Sequence, residues 1–540
     1  GNRFNLDVCA IVNEKSPLET ADDLWSALQS GLILPLSNDY KIPLAFQSEE
    51  QGTRLFDESR VGYRFLHDRV QQAAYSMIPE NQKKATHLKI GKLLLHQYAE
   101  SSLEENIFDI VNQLNIGVEF ITQSEKNQLA NFNLVAGCKA KAATAYEAAV
   151  KYLNVGLEIL PESSWQSHYD LTRNLHLETL EAEYLNTNFE RAQELSEIVL
   201  LQTKTLLEKI KVYELKIPFY LSQNQPQKAL DTALQVLKQL GIFLPHNPNK
   251  LSIMIGLFRT KFIVGRKQIR DLANLPQMTN PEHLAAIRIL MNIIPAAFAA
   301  SPALFPLVVF KIVYLSVKYG NTALSAQGYC MYGMLLCGVL EDTDSGYQFG
   351  QLALTLLEQF NAREIKAKVY HSFNHFIREC KEPIKNTITP LSEAYKIGVE
   401  TGDLEYAGYG ALYHSINLFW SGEHLEYVAN VQQRYLKALS NYKQEFTADM
   451  LAIWNQFVLN IKNQSANTTT LTGESFDESQ RLSLLKEANN NTAVAYLYLA
   501  KSILFYLFKN FEKSLETAIL LEKYKQNLSG AMLPSTYNFY

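Results

Sequence analysis

Beyond residue 100 apolar residues recur three and four positions apart almost without a break, separated only by short polar punctuation, and the pattern predicts a long succession of helices. Residues 1–100 follow another rhythm. Leu6, Cys9, Ala10 and Val12 to Asn13 suggest a short first helix. Ser16-Pro17-Leu18-Glu19 then places a capping Ser before a Pro and a Glu three residues on, the capping box that starts a helix. That helix carries Leu24, Trp25 and Leu28 on one side and should stop at Gly31, where a left-handed residue ends it at low cost. Leu32 to Leu36 reads as a strand, a polar segment with Pro43 and Gly52 follows, and Gly62 to Leu66 reads as the partner strand. Val70, Ala73, Ala74 and Met77 then make the stripe of a further helix whose first turn carries His67 and Asp68. Helix, helix, strand, polar wing, strand, helix is the order of a winged helix.

In the remainder, small, bulky and small residues followed by a breaker recur at offsets of four, three and five, as in the second helix of a tetratricopeptide repeat. Ala149, Leu153, Gly156 and Pro161 match, and so do Ala229, Ala233, Val236 and Gly241, with Tyr220 upstream where the first helix's aromatic belongs. Weaker echoes begin at Asn188, Gly402, Gly422 and Asn510. Small residues let two helices approach closely, and the aromatics fill the holes between hairpins. The stripe Tyr406, Tyr409 and Tyr413, with Phe419 and Trp420, is read as core packing. The expected fold is mainly α: an α-α superhelix of tetratricopeptide-like repeats preceded by a small winged-helix unit with a β-hairpin. Its expected parts are 1–100, winged helix and connecting helices; 101–250, tetratricopeptide-like repeats; 251–462, degenerate helical repeats; 463–480, a polar loop; and 481–540, a further, truncated repeat.

Composition narrows the function. The 540 residues are 47% hydrophobic and 19% charged, with a net charge of −5, too apolar for disorder and too balanced for a whole-chain nucleic-acid binder. With 24 Gly and 17 Pro there are few tight turns, which disfavours an all-β fold. Five cysteines without metal-ligand spacing read as reduced thiols of a cytoplasmic protein. The chain opens GNRFNLDV, without a signal peptide, and ends on LPSTYNFY, which reads as an excerpt from a longer polypeptide. Between Arg288 and Lys311 lie 22 uncharged residues, but Pro295, Pro302 and Pro306 among them argue for short buried helices around a corner rather than a membrane span. Between Lys15 and Lys41 there is no Lys or Arg, while Glu19, Asp22 and Asp23 lie on the helix that would enter a DNA groove, so nucleic acid is not the expected partner.

Three places could carry chemistry. His67, at the start of its helix, could present a ring nitrogen to an anion beside exposed N–H groups; the plainer reading is a junction residue bonded to a neighbouring carbonyl. His371 and His375 lie four apart on one predicted helix and could share a metal. Glu379 is eight residues from His371, about 12 Å along the axis, so one ion cannot collect all three, and a polar face between repeats is the stronger reading. From Thr232 to Arg270 there is no Asp or Glu, while Lys238, Lys250, Arg259, Lys261, Arg266, Lys267 and Arg270 supply seven positive charges; Ile253, Met254, Leu257, Phe258 and Phe262 make the stretch amphipathic. That suits a solvated helix face, or docking to an acidic partner domain or an anionic membrane surface. No GxSxG, dinucleotide loop or kinase HRD or DFG string occurs.

The string FLHDRVQQAAYSMIPE at 65–80, with GNRFNLDV, AIVNEKS and LWSALQSGLILPL before it and HLKIGKLLL after it, resembles the junction that follows the AAA-type ATPase of large bacterial signalling proteins common in cyanobacteria. In that family a Ser/Thr kinase is followed by a STAND-class ATPase, a helical-repeat region, a GAF domain and a sensor histidine kinase. The resemblance implies that this chain is the winged-helix and repeat segment after an ATPase core that is absent here. It implies a nucleotide-sensing role for His67 and Asp68 within Leu66-His67-Asp68, where the family motif has Met in place of Leu. ATP or ADP and Mg²⁺ are implied for the parent protein only, because no GxxxxGK[ST] loop occurs in this sequence. Implied partners are the chain's own upstream ATPase and downstream signalling domains and other signalling proteins, with self-association left open and no stable membrane insertion. The chain is thus expected to be a non-catalytic coupling segment of a signalling kinase. The alternatives are a STAND-type transcription regulator with a helical sensor array and a metal-dependent enzyme at His371 and His375.

Overall fold

The computed structural model describes residues 2–41, 61–98, 103–265, 267–463 and 467–528. The expected wing with Pro43 and Gly52, Arg266 of the basic stretch and the terminal LPSTYNFY lie outside the described residues. The chain divides into two compact units, Gly1–Leu215 and Lys216–Tyr540.

The first unit opens with strand β1 (Arg3–Asn5), helices α1 (Leu6–Asn13) and α2 (Pro17–Gln29), and strands β2 (Ile33–Pro35) and β3 (Gly62–Phe65). β3 is central and antiparallel to both neighbours, with Phe4 and Pro35 opposite Tyr63. Leu6, Ala21, Ile33, Val61 and Tyr63 form a small core between the sheet and the two helices. Pro35 stands on an edge strand, where its missing N–H costs no ladder bond. The capping box is formed: Glu19 N–H donates to Ser16 Oγ (3.3 Å), and Ser16 N–H donates to the Glu19 carboxylate (3.1 Å). α2 ends just before Gly31, at φ +67°. β1 is the element the pattern did not predict, since in three residues only Phe4 is even half-buried and no period can be read.

Among the described residues helices follow with no further strand: α3 (Asp68–Ser76), α4 (Glu80–Gln97), α5 (Ile107–Ile116), α6 (Gln123–Ala142), α7 (Tyr146–Glu158), α8 (Ser164–Ser167), α9 (Tyr169–Leu185), α10 (Phe189–Gln202) and α11 (Leu206–Ser222), which runs into the second unit. The second unit continues with α12 (Pro226–Gln239), α13 (Lys250–Val264), α14 (Pro281–Asn292), α15 (Ile294–Ala300), α16 (Leu304–Tyr319), α17 (Ala323–Gly338), α18 (Thr343–Gln359), α19 (Arg363–Phe376), α20 (Lys385–Thr401), α21 (Leu404–Trp420), α22 (Leu425–Asn441), α23 (Glu445–Ile461), α24 (Glu478–Glu487), α25 (Asn491–Leu507) and α26 (Phe511–Glu522).

One turn closes most of the hairpins. Thr144, Thr187, Asn224, Asn361, Lys443, Asn489 and Lys509 hold φ between 45° and 63°, each two residues before the next helix begins. The N–H after each returns to the carbonyl five residues earlier, as from Ala145 to Ala140 (2.9 Å) and from Asn188 to Glu183 (2.9 Å), which is the Schellman closure of a helix end. Small residues sit where the helices cross: a Cβ on Gly137 of α6 would lie 2.4 Å from Leu153 Cγ of α7. The predicted anchors Ala149, Leu153, Ala229, Ala233 and Val236 are all buried.

In the second unit α17, α19, α21, α23 and α25 stack in series, each against the next of the set, while α18, α20, α22 and α24 are their hairpin partners. The result is the α-α arrangement the periodicity predicts. One apolar core runs from Leu391 to Leu528 through Trp454, Phe457 and Tyr496. The uncharged segment 289–310 is broken as expected, shared among α14, α15 and α16 around Pro295, Pro302 and Pro306. Among the described residues no helix is long and apolar enough to cross a membrane. In the polar stretch, Leu471 and Phe476 are buried, and Asn460 Nδ2 donates to the carbonyls of Asn467, Thr468 and Thr470.

Candidate functional site

The first candidate lies where β3 gives way to α3. Leu66 N–H donates to Leu32 O (2.9 Å), tying the end of β3 to the start of β2, and the chain then turns into the helix. His67 is the capping residue, extended at φ −152°, and Asp68 is the first helical residue. His67 therefore stands one position before the first turn in which the spacing placed it. Its Nδ1 accepts a hydrogen bond from Arg69 N–H (3.2 Å). A ring nitrogen that accepts carries no proton, so the neutral ring is protonated at Nε2. His67, Asp68 and Arg69 are all exposed, and Nε2–H is a donor beside the positive end of the α3 dipole.

The predicted stripe of α3 is not buried within its unit. Met77 is 83% exposed and Leu66 55%, and Ala73 and Ala74 are also exposed, with only Val70 half-covered. The helix is held instead through Tyr75, whose Oη pairs with His87 Nε2 on α4 (3.0 Å), while His87 Nδ1 pairs with Gln113 Oε1 on α5 (2.6 Å). His87 was not singled out in the sequence, because nothing local marks a histidine that bridges three helices.

The second candidate is the histidine pair on α19. His371 and His375 are buried and one turn apart, with ring centroids 5.6 Å apart. Neither converges on a vacant point: His375 stacks on Tyr413 of α21 at 3.6 Å, and His371 lies against Tyr409 at 5.3 Å. Burial, reinforced by the neighbouring His375, holds His371 well below the usual histidine range, so it is neutral at neutral pH. Tyr413 Oη in turn meets Tyr496 Oη of α25 at 2.9 Å. Glu379 Oε1 is 3.8 Å from His375 Nδ1 and accepts from Asn417 Nδ2 (2.7 Å), which also reaches Thr387 Oγ1 (2.8 Å). Among the described residues no group of three or more His, Cys, Asp or Glu is placed to hold a metal ion. The cluster ties α19, α21 and α25 together as polar core. The long-range partners Asn417, Thr387 and Tyr496 carried no local signal.

A groove of about 360 Å³ beside the α18–α19 turn is charged but self-neutralised, with Arg363 on Glu400 (2.6 Å) and Lys366 near Glu358 (3.3 Å). The basic stretch has Met254, Phe258 and Phe262 exposed, whereas Ile253 and Leu257, assigned with them to one amphipathic set, are half-buried.

No known protein-family profile matches the chain. In sequence it is similar to the hybrid signal transduction histidine kinase G of Dictyostelium discoideum, 24% identical over 505 residues, and the match covers 83% of this chain. The chain spans 15% of that relative's length. In structure it is similar to the Signal Transduction ATPase with Numerous Domains (STAND) protein with a tetratricopeptide repeat sensor from Pyrococcus horikoshii, with a TM-score of 0.39 and 11% identity, over 90% of this chain and 62% of that one. The helical fold stands on the packing described above rather than on that superposition.

Proposed function

We propose that this chain is a non-catalytic regulatory and interaction segment of a multidomain signal-transduction kinase. It couples the nucleotide state of a STAND-type ATPase to downstream signalling domains through protein–protein contacts. The observation that carries the reading is the junction at His67: an exposed ring whose Nδ1 accepts from Arg69 N–H, leaving Nε2–H as the donor, at the head of a helix whose apolar stripe, ending at Met77, is uncovered. Such a face is suited to receive a neighbouring domain. The likeness to a hybrid histidine kinase over most of the chain supports a signalling setting. The α-α array supports the interaction role, because stacked hairpins present long surfaces and no reactive centre of their own.

In this reading residues 1–100 are a winged helix with its connecting helices, and ATP or ADP with Mg²⁺ belongs to the ATPase, since the phosphate cradle is not in this sequence. His67 Nε2–H is a group able to donate to a phosphate oxygen, and Asp68, in the first turn, places an acid at the positive end of the helix dipole. The five cysteines are free thiols, which fits a cytoplasmic protein. The rival reading, a DNA-binding STAND regulator, gains no support from α2, where Lys15 pairs with Asp23 at 2.6 Å and Glu19 closes the capping box.

In a protein extended to include the ATPase, His67→Ala is expected to weaken ATP or ADP binding by about tenfold, the loss of one hydrogen bond to a charged group. Calorimetric titration reads this directly. Unchanged affinity for both nucleotides would remove the sensing role.

A further inference from the structure

Helix α13 has two apolar faces, and the fold uses one. Gly256 and Thr260 face α16: a Cβ on Gly256 would lie 2.7 Å from Leu307 Cδ2, and the buried Thr260 Oγ1 bonds its own helix at Gly256 O (2.9 Å) and reaches Phe310 O (3.4 Å). On the other face Leu251 is 63% exposed, Met254 52%, Ile255 44%, Phe258 65% and Phe262 88%. Their spacing of three, one, three and four residues keeps them in one stripe at about 100° per residue. At the same rotation Lys250 and Lys261 fall along one edge of the stripe and Arg259 along the other.

The charge around this face is of one sign. No Asp or Glu occurs from Thr232 to Arg270, and none from 283 to 340, so α13 and the α16 it packs on carry no acid. α16 adds Lys311 and Lys318, and Lys311 lies near enough to both Arg259 and Lys318 that, after burial, their positive charges lower its ammonium. A whole chain of net charge −5 thus carries a local patch of purely positive side chains around protruding aromatics.

We propose that the exposed face of α13 docks on an anionic lipid bilayer surface. The Leu251–Phe262 stripe enters the boundary between headgroups and acyl chains, and Lys250, Lys261 and Arg259 reach lipid phosphates and carboxylates from its edges. Charge complementarity requires an anionic occupant. Protrusion selects the bilayer, because a side chain as exposed as Phe262 stands out from the surface rather than lining a groove, and a fluid interface accepts it without a matching pocket. The helix lies on the surface, since among the described residues none can span it. This role is independent of nucleotide sensing by His67 and gives the signalling segment a place to act.

The test is flotation of the 540-residue chain with vesicles of phosphatidylcholine alone and of phosphatidylcholine with phosphatidylserine. The chain should float with the anionic vesicles only, and added salt should release it. Lys250→Glu and Lys261→Glu should each weaken binding by about fivefold or more. Phe258→Ser with Phe262→Ser should weaken it by about tenfold or more, at unchanged circular dichroism, because both side chains are already outside the fold. No flotation, or flotation equal on neutral vesicles and unaffected by the lysine changes, would overturn the proposal. So would a concentration-dependent dimer, seen in sedimentation and abolished by the Phe changes, in a chain that ignores vesicles.

Discussion

At the scale of single residues, the hairpin turns show a cost the chain accepts. A left-handed φ costs an ordinary L-residue about 1 kcal/mol, and a β-branched one more, because its Cβ crowds the backbone. Thr187 sits there at φ 63°, exposed, between α9 and α10. Thr187→Gly should therefore raise stability to urea by roughly 0.5–1 kcal/mol, the relief of strain exceeding the added freedom of the unfolded chain. A lower midpoint would show that the threonine is favoured for contacts the turn does not display. His414 marks a second kind of cost. It is buried on α21 with Tyr435 Oη 3.0 Å from Nδ1, and burial, then the charge of Lys396, brings it down to about 4 from 6.5. Between those values the unfolded chain takes up a proton that the folded site refuses. Its contribution is complete above 6.5 and is lost as the pH falls toward about 4. Urea unfolding across that window should show stability falling with acid, and less steeply in His414→Gln; identical slopes would clear His414 of the effect.

At the scale of elements, close helix crossings matter more than helix propensity. α18 meets α19 through Gly350, where a Cβ would stand 2.4 Å from Cδ2 of the fully buried Phe373 ring. Phe373 is packed against Tyr347 as well, with ring centroids 5.8 Å apart, so it cannot move aside freely. Gly350→Ala should cost about 1–3 kcal/mol in spite of alanine's better helix propensity, read as a lower urea midpoint with an unchanged slope. A neutral or stabilising result would mean that the α18–α19 crossing is looser than its geometry. Helix starts were legible because capping is local: Ser16, Pro17 and Glu19 lie within four residues of one another, and the bonds they predict form. Hairpin closures were less so. Glycine marks the ends of α2, α12, α20 and α21, but Thr, Asn and Lys occupy the same conformation elsewhere, and those residues do not announce it.

At the scale of the whole chain, the proposed division of labour makes the 540 residues a limb without a phosphate cradle. Incubated alone with ATP and Mg²⁺, the chain should release no phosphate above background in a coupled assay, and turnover that co-purifies with it would end the non-catalytic reading. What the sequence by itself determined was everything encoded at short range. Three- and four-residue spacing gave the helices, the short runs Leu32–Leu36 and Gly62–Leu66 gave β2 and β3, and the prolines among 289–310 argued against a spanning helix. The small anchors Ala149 and Ala229 marked buried faces for the same reason, since a helix face is set by its own period. What only the tertiary structure decided was which apolar face finds a partner. The stripes of α3 and α13 look in sequence like any other, yet Met77 and Phe262 stand in the open while Leu153 and Leu237 are sealed. The residues that reach His371, His375 and Glu379 from α21, namely Tyr409, Tyr413 and Asn417, each lie 38 positions further along the chain, and Tyr496 meets Tyr413 across 83. Periodicity says that a side is apolar; what covers it depends on distant residues, and that is settled when the hairpins stack.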